Sequence, residues 1–376
     1  QEDVRPARVG QEGRSGHGSS RRRGLHRPAF GRDQDEVVVN SARLTKELRL
    51  AAAVLAALLA VAIPFLVLDA LWWQSALHVA SLASFVAVLA YTSSSRRAAM
   101  IIVSIYAVVA VIAVSLSSTI VPAALLIAAC AGLSAYSSRW GYQAPSLMIA
   151  ILIPYSIHEP PGPLPNGDFG WMYYLMILVV ALAAGFWAIT LLSFALRRRS
   201  TKPIPLEIVP APDALLGAVL VTVVTGSIAF IALQWFPETM WVWLLLTILL
   251  LTKPTKGLNL PQTRDRAVGT VIGALIAGLI VTLGTPKQIT GVLALLLIVA
   301  ALTAMLSGLP YWLYASFLTP AIVLMDASAN DVFELAAERV AFTLFGACVA
   351  VGLAFLVNLV VHWRRRRAGV SGLPAT

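Results

Sequence analysis

The chain has 376 residues, of which 59% are hydrophobic and only 12% charged, and it carries a formal net charge of +10. A soluble domain is about a quarter charged, and several apolar runs here exceed the roughly 18 residues that read as a membrane span. A soluble enzyme is thereby excluded, and so is a nucleic-acid-binding domain, because the basic residues sit in tails and short loops, where membrane orientation needs them.

The first 42 residues, rich in Arg, Gly and Ser, predict a disordered basic cytoplasmic tail. They hold no apolar core of the kind a signal peptide needs, so none is expected ahead of the first span. Twelve apolar segments follow, at about 48–68, 74–92, 98–117, 119–136, 141–157, 170–196, 213–235, 239–252, 266–284, 288–307, 310–326 and 333–363. The segment 239–252 is short for a bilayer and implies tilt or an interfacial position. The expected fold is an all-α polytopic membrane protein of about twelve transmembrane helices. Cys130 and Cys348 lie in separate apolar runs without metal-ligand neighbours and make no disulfide framework.

If both termini are cytoplasmic, 26 of the 28 Lys and Arg residues fall on the inner side, Lys287 and Arg339 being the exceptions. Asp69, Glu159, Asp168, Glu238, Asp326 and Asp331 then fall outside. Excess positive charge on cytoplasmic loops is the main sequence guide to orientation. The chain is therefore expected in the inner or plasma membrane, multi-pass, with both ends inside.

The two halves resemble one another. Arg96-Arg97-Ala98 opens the third segment as Arg266-Ala267 opens the ninth, and Arg139-Trp140-Gly141-Tyr142 opens the fifth as Tyr311-Trp312-Leu313-Tyr314 opens the eleventh. The offsets, 169 residues from Arg97 to Arg266 and 172 from Trp140 to Trp312, are nearly equal. Six spans per copy is an even number, so both copies share one orientation and form two parallel six-helix repeats. The domains read as a tail at 1–42, a first six-span repeat at 43–199, a cytoplasmic linker at 200–212, a second repeat at 213–363 and a basic cytoplasmic tail at 364–376.

The stretch 263–283 carries the densest signal. Arg264-Asp265-Arg266 leads into an apolar helix in which Gly269, Thr270, Gly273, Ala274, Ala277 and Gly278 recur at helical spacing. Residues three and four apart share a face, so these leave a groove where another backbone can approach closely. Such a groove serves plain helix packing or the gating of a moving helix. With Lys253-Pro254 before it, this segment resembles the signature of the fusaric acid resistance and aromatic acid exporter proteins, in which a span ends in proline and a loop leads to an arginine, a Gly-Thr pair and a glycine-rich helix. Arg266, Gly269-Thr270 and Gly273 occupy those places, and Arg339, Thr343 and Gly346 are similar to that family's closing helix. The resemblance covers 213–363; the first half is a degenerate copy, with Met100-Ile101 where Gly269-Thr270 would stand. It implies movement of small organic acids across the inner membrane, with plant malate channels as distant relatives. Many members carry a soluble cytoplasmic domain, for which the proline-rich linker has no room.

No HExxH, GxSxG or GxxxxGK[ST] motif occurs, so neither an enzyme nor an ATP-driven pump is expected, and no cofactor or metal site. For an anionic substrate, Arg264 and Arg266 with their first-half counterparts Arg96 and Arg97 offer guanidinium groups that match carboxylates bidentately at an inner mouth. Orientation anchoring accounts for them equally well. Tyr314 can stack on an aromatic acid or belong to an interfacial belt with Trp140, Tyr142, Tyr311 and Trp312. Pro154 and Pro320 interrupt the fifth and eleventh segments, and broken helices expose backbone groups that bind ions at mid-membrane. Ser316 and Thr319 supply hydroxyls near the second break.

Proton coupling has two candidates. His78, in an otherwise uncharged span, belongs to the residue type that titrates near physiological pH. Glu334, Glu338 and Arg339 cluster on the outer part of the last segment, the two carboxylates one turn apart. His158 reads as part of a solvated outer loop, His362 as an interfacial anchor, and Asn330 or Asp331 as the cap of the last helix. These readings predict a proton-driven secondary transporter that exports small aromatic or other organic acids. A passive organic-anion channel and a non-transporting scaffold for a cell-envelope enzyme are the alternatives. The expected partners are a small organic anion and membrane lipid, with no nucleic acid; a homo-oligomer or an envelope partner fits as well.

Overall fold

The computed structural model describes residues 32–165, 167, 169–195, 208–253, 257–258, 260–283, 286–326 and 332–367. Most of the basic tail, the linker up to residue 207, Pro254, Asp168, Asn330 and Asp331 lie outside the described residues. Glu47–Thr376 forms one compact unit, and Gln1–Lys46 a second, described from Arg32 as the start of the first helix.

Twelve α-helices make up the described residues almost entirely. They are α1 (Arg32–Leu71), α2 (Ala76–Ser93), α3 (Arg96–Ser115), α4 (Ile120–Tyr136), α5 (Gln143–His158), α6 (Trp171–Ala195), α7 (Ala211–Trp235), α8 (Val242–Leu251), α9 (Leu260–Thr282), α10 (Lys287–Leu306), α11 (Tyr311–Asp326) and α12 (Val332–Arg367). A two-residue antiparallel pair, β1 (Thr252–Lys253) with β2 (Gly257–Leu258), lies between α8 and α9. Each helix covers one of the twelve apolar segments. Nine, among the described residues, are long and apolar enough to cross a membrane. The other three are shorter: α5 and α11 have 16 residues each and α8 has 10. At 1.5 Å per residue α8 reaches about 15 Å, half of a ~30 Å hydrocarbon core, so it cannot cross one alone.

Three boundaries differ from the sequence reading, each for a local reason. α1 begins at Arg32, inside the tail expected to be disordered. Between Gly31 and the apolar run there is no Gly or Pro, so a helix nucleated in the span can propagate outward at one hydrogen bond per residue. α9 begins at Leu260, with Pro261 in its first turn, a position proline tolerates because no helical partner exists there for its missing N–H. Arg266 therefore lies inside the helix and not ahead of it. α5 and α11 run unbroken through Pro154 and Pro320. A proline removes one bond to the carbonyl four residues back, but a single lost bond does not end a helix whose other groups are paired and which neighbouring helices support.

Helices α2, α3, α5 and α6 form the centre of the first bundle, with α4 on α5 and α7 against α4. The buried face of α2 is nearly all small residues: Ala76, Ala80, Ala83, Ser84, Ala87 and Ala90. In lipid, small residues at three- and four-residue spacing drive association because they let helix backbones approach. In the second bundle α9 packs on α11 and α12, α8 on α12, and α10 on α11; α5 against α8 joins the two.

One end of this assembly is tied together by its loops. Trp73 Nε1 donates to the Gly162 carbonyl at 3.0 Å, the Gly162 N–H donates to Ser75 Oγ at 2.7 Å, and the Tyr173 hydroxyl donates to the Pro161 carbonyl. The His158 ring stands edge-on to Trp241 at 5.8 Å. His158 thus ends α5 half-buried against the second bundle and does not project from a solvated loop.

Candidate functional site

α9 sets the site through its rotation. Positions 264 and 266 are about 200° apart around a helix, so a bundle that buries one exposes the other. The Arg264 side chain is 78% exposed and 3.5 Å from Asp265. Arg266 is 4% exposed. Its Nη1 donates to the Tyr311 hydroxyl at 2.9 Å, and its Nε meets no hydrogen-bond partner among the described residues. The Tyr311 ring lies 5.6 Å from that of Tyr314. Tyr314 in turn is near enough to feel the charges of both Arg266 and Arg339. Arg339, 2% exposed on α12, lies over the Trp243 ring of α8 at 4.5 Å. One turn further, the Thr343 side chain is buried and its hydroxyl has no hydrogen-bond partner among the described residues.

Helix contacts give the depth of these groups. A Cβ added at Gly269 would come within 2.5 Å of the Trp312 carbonyl oxygen, and one at Gly273 within 2.7 Å of both Thr319 Cβ and Pro320 Cδ. The two glycines therefore let the α9 backbone lie directly on α11, with both helices running the same way. The Ser316 carbonyl, which Pro320 cannot serve as a helical donor, faces Gly273. At the far end of α9, Gly278 meets Phe333 in the first turn of α12. Counting 1.5 Å per residue from that contact, Arg339 lies about 9 Å into the bundle and Arg266 about 18 Å, with Tyr314 between them. The second bundle thus holds two guanidinium groups about 9 Å apart along its axis.

An arginine at the centre of a membrane helix costs about 2.5–3.5 kcal/mol by the more lenient scales, and less for Arg266 and Arg339, the fourth residue of the span Thr263–Thr282 and the seventh of Phe333–Leu353. A hydrogen bond from a charged donor returns about 1.5–3 kcal/mol, and a desolvated cation–π contact about 2 kcal/mol. Tyr311 and Trp243 offset most of the expense, and Tyr311, being uncharged, holds Arg266 without neutralising it.

The other predicted residues divide between surface and packing. Arg96 and Arg97 are exposed at the start of α3, and no hydrogen bond or ion pair among the described residues joins them to Arg266. Ser316 and Thr319 are buried in the α9–α11 contact, and Ser316 Oγ donates back to the Leu313 carbonyl at 2.9 Å. Thr270 is buried on α9 and Pro154 in α5. Glu334 is exposed, while Glu338 accepts the Met240 N–H at 3.2 Å near the start of α8. Arg339 parts from these carboxylates because one residue is about 100° of helix rotation. His78 lies half-buried in the first turn of α2. Trp243 has no signal in the sequence beyond being one aromatic among several near a segment end.

No curated protein and no solved structure matches the chain. Residues 227–353, which contain Trp243, Arg266, Tyr311, Tyr314, Arg339 and Thr343, match the model of the family described as Fusaric acid resistance protein-like.

Proposed function

We propose that the chain is a membrane transporter for small organic anions, an exporter of aromatic or other organic acids driven by the proton gradient. The observation that carries this reading is Arg266, a buried cation whose described hydrogen-bond partner is a neutral hydroxyl. A carboxylate is the natural complement of such a group, since guanidinium and carboxylate pair through two parallel charge-assisted bonds. Arg264, Arg96 and Arg97, exposed on the surface, would attract the anion. Tyr311 and Tyr314 would face its ring, and Arg339 would receive it further along the bundle.

Twelve spans in two parallel repeats fit the helix pairings. α2–α6, α3–α6, α3–α5 and α4–α5 in the first bundle recur as α8–α12, α9–α12, α9–α11 and α10–α11 in the second. The contacts between the two halves, α4 with α7 and α5 with α8, are then the line about which the repeats would rock to give alternating access, while the close α9–α11 contact moves as part of the second repeat.

Growth of a deletion strain on fusaric acid and on 4-hydroxybenzoate tests the reading. The unaltered chain should restore resistance to at least one of the two acids. Arg266→Gln should fail to do so while reaching the membrane at the same level; resistance equal to that of the unaltered chain would remove Arg266 from the mechanism.

A further inference from the structure

The first bundle holds a polar site that the anion path does not use. His78 lies beside Glu159, close to both its backbone and its carboxylate. Its Nε2 is buried and meets no hydrogen-bond partner among the described residues. With the proton of the neutral ring on Nδ1, Nε2 offers an acceptor lone pair. Across α3 and α5, the Tyr106 hydroxyl and the Ser156 side chain are buried near each other, with Ser156 Oγ donating to the Leu152 carbonyl at 3.4 Å. These three side chains line one small cavity, closed otherwise mainly by apolar residues, with room for about one water molecule. A buried water needs two to four polar partners, and His78, Tyr106 and Ser156 supply that number.

The geometry points to a proton-binding site: His78, Tyr106 and Ser156 hold a single water, and through it Nε2 takes up a proton from the Glu159 end of the molecule. In the neutral state the water donates to Nε2. When a proton from solution binds Nε2, the new N–H donates to the water oxygen, and the water turns its hydrogens to the hydroxyls. The charged group acting on His78 is the Glu159 carboxylate beyond α5. Asp69 accepts the N–H of the preceding residue, Leu77, at 3.1 Å. α3 presents Tyr106, and α6 presents Ile177 and Ala181 to the cavity. The charge gained on protonation is therefore met by the Glu159 carboxylate. This site is independent of the anion path, and either reading stands if the other fails.

Nitrogen NMR of the full chain in lipid nanodiscs decides it. The chain has five histidines, and labelling all of them with 15N, with His78→Asn as the difference spectrum, assigns the His78 ring. The expected result is an unprotonated Nε2 at alkaline pH that shows a through-space cross-peak to water and gains a proton as the pH is lowered. Tyr106→Phe and Ser156→Ala should each shift the Nε2 resonance, and the double variant should lose the water cross-peak while the other four histidines keep their positions. A dry Nε2 in the unaltered chain, or a resonance that neither substitution moves, overturns the proposal. The first of these outcomes is read on the unaltered chain, with His78→Asn used for the assignment alone.

Discussion

Around Arg266 the described support is a single hydroxyl, so the sharpest expectations belong to the residues that hold the two guanidinium groups in place. Tyr311→Phe removes one hydrogen bond from a charged donor, about 1.5–3 kcal/mol, equivalent to about ten- to a hundredfold in binding. The expected outcome is a rise of that size in the apparent KM for efflux of 4-hydroxybenzoate from preloaded cells, with the maximal rate little changed; an unaltered KM would show that Tyr311 does not position the cation. Trp243→Leu acts on the other arginine. Losing a desolvated cation–π contact costs about 1–2 kcal/mol, and the same assay should show a weaker rise, about tenfold. Arg264→Gln serves as the contrast. That side chain is 78% exposed, where a lost charge is screened by water and salt, so its effect should be small and should fade as salt is raised.

Between helices, hydrophobic burial contributes little in lipid, and close backbone approach carries the association instead. The α9–α11 contact depends on having no side chain at positions 269 and 273. Gly273→Val places carbon against Thr319 and Pro320, where a Cβ alone already falls 2.7 Å away. Overpacking of this kind costs about 1–3 kcal/mol or more, and the detergent-solubilised protein should lose its folded, monodisperse form several degrees earlier on heating. Gly291→Val on α10, where an added Cβ meets nothing within 4 Å, should leave that temperature unchanged. Equal effects at the two positions would mean that the groove is not what holds α9 to α11.

For the molecule as a whole, charge distribution makes the testable statement. Glu159 and Glu338 lie in the end that the loop hydrogen bonds tie together, whereas Arg96 and Arg97 open α3 on the far side of α2. With Cys130 and Cys348 replaced by serine, Glu159→Cys should react with a membrane-impermeant maleimide on intact cells. Arg97→Cys should react only after the cells are opened. The reverse pattern would invert the proposed orientation and put the arginines at an outer mouth.

The twelve helices were legible in the apolar runs because a run long enough to sit in lipid must satisfy its own backbone hydrogen bonds, and a helix does so locally. The arginines, the glycine stripe and the resemblance were legible for the same reason, since each is a pattern along one segment. Which guanidinium is buried was not legible. Arg264 and Arg266 differ only in rotation, and the rotation depended on a helix start at Leu260 together with the face that Gly269 and Gly273 press against α11. The pairing of Arg266 with Arg339 was hidden further still, since 73 residues separate them and only the α9–α12 packing brings both within reach of Tyr314. Composition and periodicity determine where a chain enters and leaves an apolar medium; the side of each helix that meets its neighbour is decided by contacts between distant segments, which only the folded bundle makes.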